Sequence, residues 1–419
     1  NTFNYVLEEE SNGNGKIVSP MFRLEDSIIM DNSASRHGGG LALAYSKVEI
    51  ADTRIEANLA KLGNGGGVYM IGSHATFVGT WDQKTSFVGN QKEETETYGK
   101  PYIKLSRVFN NVAFGSGGGL ALRDGSHVQT ERTLFATNTA SDCGGNIFVD
   151  TTQCEKVELK GLKASKAELE CEKYIACTWE KAQCVLDRTK VKSSVRGHKK
   201  TVKEVAERDF AGALGVVHVV GGKSAGHGGG LCARRTDIDL RSVRLVGNRA
   251  AGNGGGWFFE STVAEVELLD VSLNIAEGNG GGGAVVGEIS SVVSKSTGER
   301  LARKPEENDR LRRQLLQEGG GIETVLDIQA EEEQVVGTKL LRNVAWGRGG
   351  GLYLERIQGL STDPTVRGKT PVDTLTDLSD WILAENVATH GAGLAVVGRM
   401  DVEESVVASG IFGGAAQIE

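Results

Sequence analysis

Proline is scarce in this chain, with five residues in 419. A collagen-like helix and a proline-glycine linker are thereby excluded, whatever the glycine content. Positive charge is not in excess. The formal net charge is −8, which argues against a nucleic-acid partner. No apolar stretch approaches the roughly 18 residues of a membrane-spanning helix, so no span is expected in this segment. No Asn-x-Ser/Thr acceptor occurs, so a heavily N-glycosylated surface is not expected, although secretion stays open. There is no Cys-x-x-Cys pair and no histidine among the clustered cysteines; zinc is therefore not expected. Asn1 is not a methionine, and Gly413-Gly414-Ala415 near the other end continues a glycine-containing pattern. The polypeptide is expected to extend beyond both ends.

What the chain has instead is glycine, 58 residues of it. In a folded, proline-poor chain this points to tight turns repeated at intervals. The six cysteines are Cys143, Cys154, Cys171, Cys177, Cys184 and Cys232. An even number, four of them clustered, favours disulfides and an oxidising compartment over reduced buried thiols.

One phrase recurs: an apolar residue, two others, Asn, any residue, Ala, then a glycine triplet and an apolar residue. Its asparagines are Asn32, Asn58, Asn111, Asn138, Asn248, Asn274, Asn343 and Asn386. Glycine triplets start at 38 and 65, and again at 228, 254 and 280, steps of 27, 26 and 26. Gly144-Gly145-Asn146 follows Gly117 by 27, and partial copies stand at Gly319–Gly321 and Phe87–Asn90. A constant period means one unit stacked on the next. Each unit carries three short apolar-alternating runs, such as Leu41–Leu43, Val48–Ile50 and Arg54–Ala57. Alternation at period two marks a strand with one buried face. Three short strands per coil of about 26 residues make an all-β, right-handed single-stranded parallel β-helix. Asn at a turn is expected to bond its neighbours above and below as a ladder. Ala two positions later is small enough to point into a narrow core.

These repeats resemble the Phe-x-x-Asn and Gly-Gly-Ala-Ile repeats of the chlamydial polymorphic outer membrane proteins. They are also similar to those of the pectin-lyase-like superfamily. Phe87–Asn90 and Phe135–Asn138 match Phe-x-x-Asn literally; elsewhere Ile, Val or Leu replaces Phe, and Gly-Gly-Gly-Leu replaces Gly-Gly-Ala-Ile. The resemblance implies a secreted adhesin displayed at a cell surface.

Interruptions divide the chain. β-Helix coils are expected over 1–150, a cysteine-containing subdomain with a return strand over 151–215, and coils again over 216–289. A charged helical or loop insertion follows over 290–318, then coils over 319–419 with a loop near 356–380. Ala167–Arg188 reads as a short disulfide-tied helical hairpin, and Lys92–Pro101 as an acidic excursion. Lys190, Lys192, Arg196, Lys199, Lys200 and Lys203 form a basic run that is a candidate contact loop, weighed against an ordinary solvated one.

Candidate chemistry is thin. Gly226-His227-Gly228 matches a polygalacturonase motif, but the accompanying acidic pairs are missing, and glycoside hydrolysis needs two carboxyl groups. His37 and His390 share the pre-glycine place of His227, which Asn64, Ser116, Asn253 and Asn279 fill elsewhere; a polar turn residue is the simpler expectation. Asp237 and Asp239, with Arg234, Arg235 and Arg241 nearby, suggest a lyase or calcium site less well than a solvated strand face. No catalytic residue, metal ligand or cofactor is assigned. The expectation is a structural or adhesive segment of a larger extracellular protein or filament. Its partners would be other subunits, further domains or an extracellular glycan. The alternative is a carbohydrate-active enzyme or glycan-binding module.

Overall fold

The computed structural model describes residues 4–6, 21–79, 81–82, 102–103, 106–131, 133–150, 177–180, 183–186, 192–197, 217–287, 290–294, 338–355, 359–361, 375–377, 381–397 and 417–418. Its secondary structure there is all strand. The fold is a parallel β-helix, right-handed as connections between parallel strands of one sheet are.

Each coil contributes four strand segments. In coil 2 they are Lys47–Ala51 (row 1), Arg54–Glu56 (row 2), Leu59–Ala60 (row 3) and Val68–Ile71 (row 4). Three long sheets wall the solenoid. An 18-stranded sheet carries rows 1 and 2, an eight-stranded one row 3 and a ten-stranded one row 4. Rows 1 and 2 fuse into single strands at Asp237–Val246 and Val263–Ser272. Row 1 of coils 1 to 8 begins at Met21, Lys47, His74, His127, Lys192, Asp237, Val263 and Ser291. Coil 9 holds Leu375–Asp377 and Trp381–Ala384. Pairing from coil to coil is parallel and in register, as Ile55↔Val108↔Phe135↔Val219↔Leu245↔Val271↔Leu340↔Leu383 illustrates. Antiparallel exceptions are Asn4–Val6 on Met21–Arg23, Trp81–Asp82 on Tyr102–Ile103, and a hairpin of Cys177–Glu180 with Gln183–Leu186.

Alternation explains the core. In row 1 of coil 3, Ala75 and Phe77 point inward and are fully buried, while His74, Thr76 and Val78 are half-buried. Each inward Val, Leu or Phe stabilises by about 1.5–3 kcal/mol. Packing adjusts between coils: Phe77 meets Phe135 edge-on at 5.8 Å, and Trp257 stacks on Phe259 at 4.3 Å. A Cβ on Gly283, one coil above Trp257, would stand 2.1 Å from the indole. Glycine there is the room that the tryptophan needs.

Several expectations are corrected. Cys177–Glu180 and Gln183–Leu186 are strands of a hairpin, not helices. Thr178, Trp179 and Val185 are good strand residues, and two residues between the strands suit a hairpin connection. Lys192 and Arg196 are not in a loop. They lie in strand Lys192–Gly197, row 1 of coil 5, paired on both sides. Ser291–Ser294 is row 1 of coil 8, so that interruption begins later than 290. The stretch 356–380 contains the paired strands Gly359–Ser361 and Leu375–Asp377. The charged segments after Ser294, the Lys92–Pro101 excursion, and the partial repeats at Phe87–Asn90 and Gly319–Gly321 lie outside the described residues.

Candidate functional site

Two corners of the coil vary little in length. Between rows 2 and 3 stand two residues. The first has positive φ, for example Ala57 (53°), Thr137 (51°) and Leu273 (57°), and the second is the repeat asparagine. Asn58 Oδ1 accepts the backbone N–H and the side-chain amide of Asn32, both at 3.0 Å. Its own Nδ2 donates to Ile29 O at 2.9 Å and to Asn111 Oδ1 at 3.0 Å. The same bonds recur through Asn111, Asn138, Asn248, Asn274, Asn343 and Asn386. Six of these eight are at most 1% exposed; Asn386 is 6% exposed and Asn32 is exposed. A buried amide with every bond made is worth far more than one left open.

Coil 5 has glycine, Gly222, where the asparagine belongs. The gap is filled by Asn146, which stands where the triplet of coil 4 would have its third glycine. Asn146 Oδ1 accepts from Asn138 Nδ2 at 2.7 Å, and Asn146 Nδ2 donates to Asn248 Oδ1 at 3.1 Å. Gly222 N donates to Asn248 Oδ1 at 2.8 Å. A Cβ on Gly222 would meet Asn146 Nδ2 at 2.5 Å. The two departures from the repeat are one exchange.

The glycine corner, between rows 3 and 4, holds six residues in most coils, seven in coil 2 (61–67) and five in coil 9 (389–393). The pre-glycine residues form a second column. His37 Nδ1 accepts from Asn64 N at 3.0 Å, Asn64 Oδ1 from Ser116 N at 2.9 Å, and His227 Nδ1 from Asn253 N at 3.0 Å. Each of these histidines stacks on an outward ring of the next coil, His37 on Tyr69 and His227 on Phe258, both at 4.5 Å. Burial first, and nearby arginines second, lower the pKa of both. An imidazole whose Nδ1 accepts a backbone N–H and whose ring is stacked is a turn component. His390 takes the same place, bridged to Arg348. Cys143 occupies this position in coil 4, and Cys232 the outward position in coil 5. They form a disulfide with Cα atoms 5.7 Å apart, so the bond replaces a ring stack. Cys177 and Cys184 lie on the hairpin strands; Cys154 and Cys171 lie outside the described residues, as do Lys190, Lys199, Lys200 and Lys203.

The other two corners take all five long interruptions between coils 1 and 9. Between rows 1 and 2 they are 79–105, 198–216 and 295–337; between row 4 and the next row 1 they are 151–191 and 356–374. Row 1 is therefore the one strand row with interruptions at both ends. Its outward positions run Lys47–His74–His127 and Asp239–Glu265 and, two residues on, Glu49–Thr76–Gln129 and Arg241–Glu267, with strand Lys192–Gly197 in register between coils 4 and 6. Arg241 donates to Asp239 through Nε at 2.9 Å and Nη2 at 3.1 Å, and lies 3.6 Å from Glu267. The hydrogen bond to Asp239 is the main cause that raises the Arg241 pKa. Asp239 is 1% exposed, so this pair is held firmly. Burial, then the Lys47 charge, lowers His74, whose ring lies 6.3 Å from that of His127. Asp239 is thus tied to arginine on a strand face. Among the described residues no group of three or more His, Cys, Asp or Glu side chains is placed to hold a metal. Arg234 and Arg235 bind Asp142 and Asp150 beside the disulfide, at 3.0 Å and 2.7 Å. What row 1 offers chemically is a polar, mixed-charge strip for binding.

A hydroxyl column escaped the sequence reading. Ser46 N donates to Ser73 Oγ, Ser73 N to Ser126 Oγ, and Thr262 N to Ser290 Oγ. Its signal is a Ser or Thr just before row 1.

No family model, no curated protein and no solved structure matches this chain.

Proposed function

We propose that this chain is a rigid scaffold segment of an extracellular structural or adhesive protein, and that it binds through row 1 and the inserted segments at its two ends. The observation that carries the proposal is the segregation of corners. The asparagine and glycine corners vary by at most two residues, and the long interruptions all flank one polar strand row. Insertions on a solenoid sit where partners reach them, on a frame that holds their bases fixed. The buried Cys143–Cys232 bond suits an oxidising compartment. The repeat resemblance to surface-displayed adhesins points the same way. Partners on this reading are other subunits, further domains of the polypeptide or an extracellular glycan.

The test is binding of the full chain to glycan arrays and cell surfaces, compared with a variant in which 295–337 is replaced by a single serine corner. The proposal expects binding that weakens at least tenfold while the melting transition is kept. Cleavage of an acidic polysaccharide would instead favour the carbohydrate-active alternative. Binding unaffected by the replacement, or by charge reversal at Glu265 and Lys47, would remove row 1 from the account.

A further inference from the structure

Coil 1 leaves its inner face uncovered. Its inward residues Phe22, Leu24, Ile29, Ala34 and Leu41 are only half-buried. Their register partners in coil 2, Val48, Ile50, Ile55, Ala60 and Val68, are at most 1% exposed. At coil 9 the inward Trp381, Leu383, Leu394 and Val396 are 6% exposed or less. The core is therefore open at coil 1 and covered at coil 9.

Backbone polarity marks the same face. At the glycine corner, N–H groups donate from each coil to carbonyls of the next in all eight steps, from Gly38 N to Asn64 O through to Gly349 N to His390 O. Asn64 O, Gly65 O, Gly66 O and Gly67 O of coil 2 all accept from coil 1. Among the described residues nothing donates to the equivalent His37 O, Gly38 O, Gly39 O and Gly40 O. The asparagine column runs the same way. Asn32 N and Nδ2 both donate to Asn58 Oδ1 at 3.0 Å, whereas no described residue donates to Asn32 Oδ1. Open carbonyls beside an apolar floor favour a partner that brings N–H groups and apolar side chains together.

We propose that coil 1 is a stacking face for a second copy of this chain, which docks head to tail with its coil 9 side foremost. The argument is continuity with a contact that the chain already makes eight times. Polarity is uniform, so the high-numbered side of any copy presents N–H groups. That side also takes further parallel strands, since Gln417–Ile418 pairs in parallel with Ala395 and Val396. A stacked copy supplies donors to the four open carbonyls and to Asn32 Oδ1, and it covers Phe22, Leu24, Ile29 and Leu41. The contact joins unlike surfaces and does not close on itself, so successive copies build a rod.

One strand stands in the way. Asn4–Val6 lies antiparallel on Met21–Arg23 and covers the row 1 edge of coil 1. Rows 2 to 4 of that coil have no strand beneath them among the described residues. An antiparallel strand ends a parallel stack and blunts an open edge. Asn4–Val6 is thus a stopper that an incoming copy displaces. The inference rests on the scaffold reading and narrows its partner to a second copy, through a face separate from the row 1 strip.

The test is electron microscopy and sedimentation of the full chain, and of a chain lacking residues 1–6, across a hundredfold range of concentration. Stacking predicts rods one solenoid wide that lengthen in steps of about 45 Å, nine coil spacings. Association should tighten at least tenfold without residues 1–6. Ile29→Lys should weaken it at least tenfold with melting kept, because Ile29 faces the open end. Should that variant not fold, Asn32→Leu reads the same contact and should weaken it as much. Glu265→Lys should lower row 1 binding and leave rod length unchanged, which separates the two readings. Single solenoids at every concentration in both chains, side-by-side pairs, or rods that survive Ile29→Lys or Asn32→Leu would overturn the proposal.

Discussion

The asparagine corner keeps two residues in every coil and the glycine corner stays within five to seven, while the corners at the two ends of row 1 range from one or two residues to 43. The contrast follows from how backbone polar groups are satisfied. At the asparagine corner every amide has a fixed partner one coil away, so one extra residue would break two neighbours as well. At the row 1 ends backbone bonds also cross between coils, as from Tyr45 N to Ile71 O and from His74 N to Ser46 O, but the side chains there are short hydroxyls that bond within their own corner as well. There a longer excursion costs mainly loop closure, which grows slowly with length. Constancy marks what holds the solenoid together; variation marks where it can be elaborated.

The largest effect should come from filling the glycine corner. A Cβ on Gly255 would lie 2.3 Å from Gly281 O and 2.6 Å from the Ile275 backbone. Gly255→Ala should cost at least about 3 kcal/mol, since backbone on both sides has to move. Gly247, with φ of 63°, has nothing within 4 Å of its Cβ position. Gly247→Ala should cost about 1–2 kcal/mol, for backbone strain alone. Similar urea midpoints for the two variants would show that close stacking is not what fixes this corner.

Asn274→Leu removes the acceptor of Asn248 N and Nδ2 and the donor to Leu245 O. About 3 kcal/mol is expected from the groups left unpaired. Asn248→Leu should behave alike. Unchanged melting would refute the ladder.

Much of this was legible. The period, the eight asparagines and the glycine triplets lie in plain spacing because they repeat a local demand. The exchange between Asn146 and Gly222 is not legible coil by coil. A missing third glycine in coil 4 and a missing asparagine in coil 5 make sense only once the coils are stacked. The Cys143–Cys232 pair was hidden in the same way, 89 residues apart, because the interruption lies between its coils. Short strands such as Lys192–Gly197 carry little pattern of their own and take their conformation from the strands beside them.

The disulfide sharpens the comparison at the junction of coils 4 and 5, where the chain departs after Asp150. Replacing Cys143 and Cys232 by Ala should cost about 2–4 kcal/mol. Unfolding monitored by hydrogen exchange should then separate coils 1–4 from coils 5–9. Loss of stability without that separation would mean that the junction is not a weak point.

The smallest effect concerns pH. The His227 pKa lies below 6.5 in the folded chain because of burial and then Arg234. The unfolded chain takes up its proton first as pH falls, so stability is full above about 6.5 and declines toward the lowered value. His227→Gln should flatten that decline by a fraction of the whole. An identical pH profile for the variant would contradict the placement of His227 as a neutral acceptor.

The asparagine column is the centre of the account, and a double-mutant cycle tests it most directly. Asn146→Gly alone and Gly222→Asn alone should each lower the urea midpoint, the first by opening the column and the second by crowding it. The double variant restores the ordinary repeat in both coils. The account predicts that it regains most of the lost stability, with a coupling of about 2 kcal/mol or more. Losses that simply add would contradict a continuous column.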